Sequence, residues 1–205
     1  MTIPLLEGPA LQAVESRNED LHVVACAGSG KTEMLAQRIA DLLIGGIPGS
    51  DIVGFTFTRK AARELESRVH SRISQRHAQP EVLLHGLFLG TIHSYCHQLL
   101  TTHIPRYENF DLLSEMQHFV FLKRIHRQID LEVATPGRKT LNSRIEDFSR
   151  TLEAIDNDCI SLDLIREPLR SVVLAYHEKL ENFKYLTYGT LLGRTVEALE
   201  TGAIR

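Results

Sequence analysis

The sequence predicts an α/β chain with a parallel-sheet core, incomplete in its strands, carrying an all-helical inserted block. Two observations predict it. Through the first hundred residues, short β-branched apolar runs alternate with amphipathic helical patterns, the order that builds βαβ units and a parallel sheet. After Pro105 the strand-like runs vanish, and apolar residues recur at helical spacing over Met116–Ile129, Ile145–Ile155 and Leu162–Phe183. The division that follows is a core over residues 1–104, a helical subdomain over 105–185 and a returning helix over 186–205.

Within the core, Leu21–Ala25 reads as a buried strand running into the tight glycine-rich turn Cys26–Gly30. A helix follows from Lys31, with Met34, Leu35, Ile39, Leu42 and Leu43 on its apolar side and Gly45-Gly46 as its stop. The unit then repeats: strand Asp51–Phe57, helix from Thr58 or Arg59 to about Arg76, strand Leu87–Ile92, helix His93–His103. His77–Gln79 before Pro80 reads as loop, and Ala134–Lys139 carries the strongest turn signal of the second half.

Of 205 residues, 43% are hydrophobic and 24% charged, enough for a real core, and the formal net charge of −3 argues against coating nucleic acid through bulk positive charge. Any such contact must be local. Cys26, Cys96 and Cys159 are too few and scattered for a disulfide framework, which fits a reducing cytoplasm. Met1–Glu7 lacks a basic stretch followed by a long apolar one, and no run of 18 apolar residues occurs, so neither export nor membrane insertion is expected.

Three clusters carry chemistry. Ala25–Thr32 matches the phosphate-loop pattern G-x-x-x-x-G-K-[ST] except at Ala25. Gly28 and Gly30 let consecutive N–H groups converge on phosphate oxygens, the helix adds its positive end, Lys31 neutralises the β- and γ-phosphates, and Thr32 supplies a hydroxyl to Mg²⁺. Phe55–Ala62 gathers hydroxyls, aromatic rings and two cations at a strand-to-helix junction, a mix suited to single-stranded nucleic acid, with Phe57 as the stacking ring. Lys60, Glu64, Arg68, Arg72 and Arg76 follow at four-residue steps, and the later arginines read as a salt-bridged solvent face. Gly90–Ser94 again sets hydroxyls and His93 before a helix, an arrangement that N-capping by Thr91 or Ser94 also explains. His93, Cys96 and His97 share a helical face, but no fourth ligand for a metal accompanies them.

Taken in order, Ala25–Thr32, Phe55–Ala62 and Gly90–Ser94 resemble motifs I, Ia and Ib of the superfamily 1 UvrD/Rep/PcrA-like DNA helicases. Tyr95–Leu100 and Ile104–Leu113 resemble the stretch leading into that family's helical insertion, and Leu186–Leu192 the segment by which it returns. The resemblance implies a RecA-like P-loop NTPase core in which Ala27, Gly28, Ser29, Gly30, Lys31 and Thr32 bind ATP. Lys31 and Thr32 are then the catalytic residues, with Thr32 on Mg²⁺, and Thr56, Phe57, Thr58, Thr91 and His93 lie along single-stranded DNA. The implied parent activity is ATP-driven translocation on single-stranded DNA with 3′-to-5′ unwinding.

Two positions depart from the family pattern. The adenine-side glutamine falls at Ala10, with Gln12 two residues on, and the basic residue expected after Thr32 is Glu33. The family also places a strand ending in Asp-Glu after the return segment, then a second RecA-like domain with an arginine finger. No apolar run ending in Asp-Glu follows Lys31 here. The chain alone is therefore expected to bind ATP weakly and hydrolyse it poorly, with those groups supplied by a C-terminal region or a second chain. Beside this stands a binding-class reading, an ATP- and DNA-binding module or subunit completed by a partner and without helicase activity of its own.

Overall fold

The computed structural model of the chain describes residues 6–17 and 20–204. Residues 1–5 of the N-terminal stretch, and Arg205, lie outside them. The chain divides into two compact units, residues 1–95 and 96–205, with the boundary inside one helix.

In the first unit, helix α1 (Pro9–Glu15) precedes α2 (Lys31–Ile44), β1 (Val53–Phe55), α3 (Arg59–Ser74), α4 (Pro80–Leu84), β2 (Phe88–Gly90) and the start of α5 (Ile92–His103). Strands β1 and β2 pair in parallel, Val53 opposite Phe88 and Phe55 opposite Gly90, with α3 and α4 forming the crossover that parallel neighbours require. Both observed strands are shorter than the runs read from the sequence. The expected strand over Leu21–Ala25 is not formed: this segment is unpaired and exposed, Val24 at 84%. A fully apolar strand is stable only when flanked and covered, and among the described residues β1 has β2 as its one partner.

The unit's core is the seam between α2 and α3. Ala36, Ile39, Ala40 and Leu43 face Leu65, Val69 and Ile73, all buried, and each large aliphatic side chain contributes roughly 1.5–3 kcal/mol. Charges fasten its edge. Glu33 is buried in the first turn of α2, pairing with Arg72, itself only 7% exposed, and with Arg68 at 3.1 Å; about two turns on, Asp41 meets Arg76 at 2.6 Å. Of the later arginines only Arg72 is buried against α2; Arg68, which also pairs with Glu64 at 2.7 Å, and the exposed Arg76 form the salt-bridged face read from the sequence while reaching α2 as well. Arg38 on α2 donates to the carbonyls of Ala13 (2.6 Å) and Ser16 (2.7 Å), capping the C-terminal end of α1 and tying it to α2.

The second unit continues through α5 into β3 (Asp111–Leu112), α6 (Glu115–Ile125), α7 (Leu131–Ala134), α8 (Leu141–Asn157), α9 (Leu169–Phe183), β4 (Tyr185–Leu186) and α10 (Tyr188–Glu200). The chain enters the helical block after β3 and leaves it through β4, and these two-residue strands pair in parallel, where the sequence suggested none. Helices α6–α9 enclose a core centred on Phe148 and Tyr176, while Leu100, Tyr107, Phe110, Leu186 and Leu191 form a smaller cluster of their own. The run Leu162–Phe183 is not one helix: Leu162–Leu164 makes a 3₁₀ turn and α9 starts after Pro168, whose ring and missing N–H exclude a helix interior. No helix among the described residues is long and apolar enough to cross a membrane.

His118 on α6 shares a 2.8 Å hydrogen bond with the fully buried Tyr176. Burial pushes its pKa down from 6.5 to about 4, against a smaller opposing pull from Asp156. The fold holds it neutral, so the unfolded chain takes up a proton first. The stability this neutral form provides is complete above pH 6.5 and drains as pH falls towards 4, by roughly 2 kcal/mol at pH 5. Urea unfolding read by tyrosine fluorescence should show that slope, and His118→Gln should flatten it. In the first unit, Glu33→Ala leaves Arg72 buried without its anion and should cost about 3–5 kcal/mol, with Glu33→Leu/Arg72→Met recovering most of it. Amide exchange at Leu65 and Val69 measures the change.

Candidate functional site

The glycine-rich loop is shaped from within. Gly28 and Gly30 sit at φ 79° and 84°, the left-handed region that glycine enters without strain, and a Cβ on either would meet no atom within 4 Å. The Cys26 carbonyl accepts from the Ser29 hydroxyl at 2.7 Å and from its N–H at 3.3 Å. The exposed Lys31 folds back, its Nζ donating to the carbonyls of Ala25 (2.6 Å) and Cys26 (2.5 Å).

Helix α2 starts at Lys31 with Gly30 as its N-cap, and no side chain caps it. Its first backbone bond runs from Met34 N–H to Gly30 C=O at 2.9 Å, so the amides of Lys31, Thr32 and Glu33 have no intrahelical acceptor. Their partial positive charge, the Lys31 ammonium and the exposed Thr32 hydroxyl lie within three consecutive residues. That donor set suits a polyphosphate with a divalent cation. The Glu33 side chain takes no part in it, being turned under α3 by Arg68 and Arg72. Gln12, on α1, is exposed, and Ala10 half-buried.

Strand pairing brings the other two clusters together. The carboxyl ends of β1 and β2 are neighbours, with Thr56 N–H donating to the Gly90 carbonyl at 2.8 Å, so Thr56–Thr58 and Thr91–His93 emerge side by side at one edge of the sheet. That edge is where ligands of open α/β sheets bind. Thr58 caps α3, its hydroxyl accepting from Ala61 N–H at 3.1 Å, and Thr56 donates to the Thr58 carbonyl at 3.0 Å. Thr91 and Ser94 cap the start of α5 reciprocally, at 2.9 and 3.2 Å. Phe57 is fully exposed, whereas Phe55, Phe88 and Tyr95 form an aromatic cluster with centroids 4.8–6.4 Å apart. His93 is half-buried. The glycine loop's own hydrogen bonds stay within it, and its link to these junctions is the α2–α3 seam.

A family model, the UvrD/REP helicase N-terminal domain, matches residues 6–204. The chain belongs to that family. It is 29% identical over 198 residues to the ATP-dependent DNA helicase UvrD1 of Mycobacterium leprae, covering 92% of the chain and 25% of that protein. DNA helicase II of Haemophilus influenzae is 38% identical over 107 residues, 50% of the chain and 14% of the relative; that of Escherichia coli is 28% identical over 198 residues, 91% and 25%. The chain thus spans about a quarter or less of the length of these relatives. The family implies a P-loop fold, and the helix-rich chain with its short parallel strands is compatible with part of such a domain.

The junction geometry separates fold from surface. Thr58→Ala removes an N-cap and should cost about 1 kcal/mol, whereas Phe57→Ala removes a ring that buries nothing and should leave stability unchanged. Urea midpoints of the two variants decide it.

Proposed function

We propose that the chain is the ATP-binding N-terminal part of a UvrD-like, ATP-dependent 3′-to-5′ DNA helicase. The observation that carries this is the pair of left-handed glycines feeding an uncapped helix whose first two residues are Lys31 and Thr32. Backbone amides from Ala27 to Thr32 would surround the triphosphate, and Lys31 would exchange its two carbonyl acceptors for phosphate oxygens. Thr32 would hold Mg²⁺, which neutralises charge on the phosphates during transfer. These amides and the ammonium stay put through the reaction, so they contribute by positioned charge rather than by proton transfer.

The second half of the reading is a single-stranded DNA path over the sheet edge. Thr56, Thr58, Thr91 and His93 would hold backbone phosphates, and Phe57, with its ring entirely in solvent, would stack on a base of any sequence. Carboxylates for the attacking water and an arginine finger would come from elsewhere in the assembled motor, from a further region or a second chain. The arginine finger alone is worth roughly 10³–10⁵ in rate, so the 205 residues by themselves should turn ATP over feebly.

Calorimetric titration with ATP·Mg²⁺ tests the first half: Lys31→Ala should reduce affinity at least tenfold without altering the unfolding midpoint. Unchanged affinity refutes the assignment. For the second, Phe57→Ala should weaken binding of a single-stranded oligonucleotide by about 1–3 kcal/mol. Equal affinity of variant and wild type removes Phe57 from the path.

A further inference from the structure

The first two turns of α3 carry three cations that no carboxylate of the chain balances. Arg59 and Lys60 are the first two residues of the helix, Arg63 stands one turn on from Arg59, and all three are exposed. Among the described residues none of them makes an ion pair. Glu64, one turn on from Lys60, is taken by Arg68 at 2.7 Å. Arg63 reaches only backbone, its Nε donating to the Arg59 carbonyl at 3.4 Å.

For the fold this arrangement is unfavourable twice over. Cations at a helix N-terminus oppose the macrodipole, and like charges four residues apart, as Arg59 and Arg63 are, repel each other. The first turn of α3 holds no acid to offset them, whereas α2, α4 and α6 each place a glutamate there. Other arginines near helix starts have partners: Arg144 of α8 meets Glu132 at 2.5 Å, and Arg170 of α9 meets Asp163 at 2.9 Å. Phe57, its ring entirely in solvent, immediately precedes Thr58, the N-cap of the same helix. A charge cluster that weakens its own helix and lies beside an exposed aromatic ring suits an anion from outside the chain.

We propose that Arg59, Lys60 and Arg63 clamp the backbone phosphates of a single strand whose base stacks on Phe57. This rests on the DNA path proposed above and assigns its electrostatics. The hydroxyls of Thr56, Thr58 and Thr91 are uncharged, so the salt-sensitive part of the affinity comes from these three side chains. On a chain of net charge −3 that attraction is necessarily local, and because it acts on phosphates it carries no sequence preference.

The test is a titration of the 205-residue chain with a single-stranded oligothymidylate at several salt concentrations. Each of Arg59→Gln, Lys60→Gln and Arg63→Gln should make the slope of log affinity against log salt shallower by about 0.7, the release of counterions from one phosphate. Each should also leave the unfolding midpoint unchanged or raise it, since the helix loses a charge opposed to its dipole. Lys179→Gln, on α9, should leave the slope as it is. Slopes equal to wild type in all three variants, while Phe57→Ala still weakens binding, overturn the clamp and leave the stacking path standing. An equal loss of slope in Lys179→Gln, or a fall in the midpoint of the three variants, also overturns it. If the oligonucleotide does not bind at any salt concentration, the clamp and the DNA path fall together.

Discussion

The first unit depends on how α2 is held against α3. An isolated helix of fourteen residues is marginal in water, so α2 persists because its small-residue face, Ala36 and Ala40 beside Ile39 and Leu43, packs closely on Leu65, Val69 and Ile73. Glu33 is the point where that seam meets the glycine-rich loop. It lies two residues beyond Lys31 and is clasped by Arg68 and Arg72, so the amides that precede it leave the loop from a fixed helix end. A buried ion pair of this kind adds little net stability over a hydrophobic replacement, but losing one partner is costly, and the register of the two helices is what it defines.

From that seam the two halves of the candidate site follow separately. The loop is a local object, built from two left-handed glycines, one serine and a lysine that satisfies the loop's own carbonyls. The sheet edge is a topological object: Thr56–Thr58 and Thr91–His93 are more than thirty residues apart in sequence and become neighbours only because β1 and β2 pair in parallel. The Phe57 ring stands fully in solvent at that edge and takes no part in the core. A substitution there can therefore probe the proposed DNA contact without disturbing the fold.

Much of this was legible in the sequence because it is governed by short-range rules. The helix from Lys31 to the double glycine, the capping of α5 by Thr91 and Ser94 and the strand–helix alternation each follow from spacing and turn chemistry over a few residues. What was misread depends on distant partners. Leu21–Ala25 has strand composition, yet composition supplies no neighbouring strand, and the segment lies exposed. Arg72 reads as surface on its own helix and is buried because Glu33, 39 positions earlier, faces it; the signal was present as opposite charges at matched helical steps on consecutive helices. Pro168 announced the break in Leu162–Phe183, and the apolar periodicity on either side concealed it. The pairing of β3 with β4, two residues each, left no readable pattern at all.

The phosphate loop is where the function stands or falls, and its own amides can report on it. The chain should be titrated with ATP·Mg²⁺ and, in parallel, with AMP, while the Gly28, Gly30 and Lys31 amide resonances are recorded. A loop that wraps β- and γ-phosphates will shift strongly with ATP and barely with AMP. If the two nucleotides move these amides alike, or if ATP leaves all three where they were, the loop does not hold a triphosphate and the helicase reading of this site fails with it.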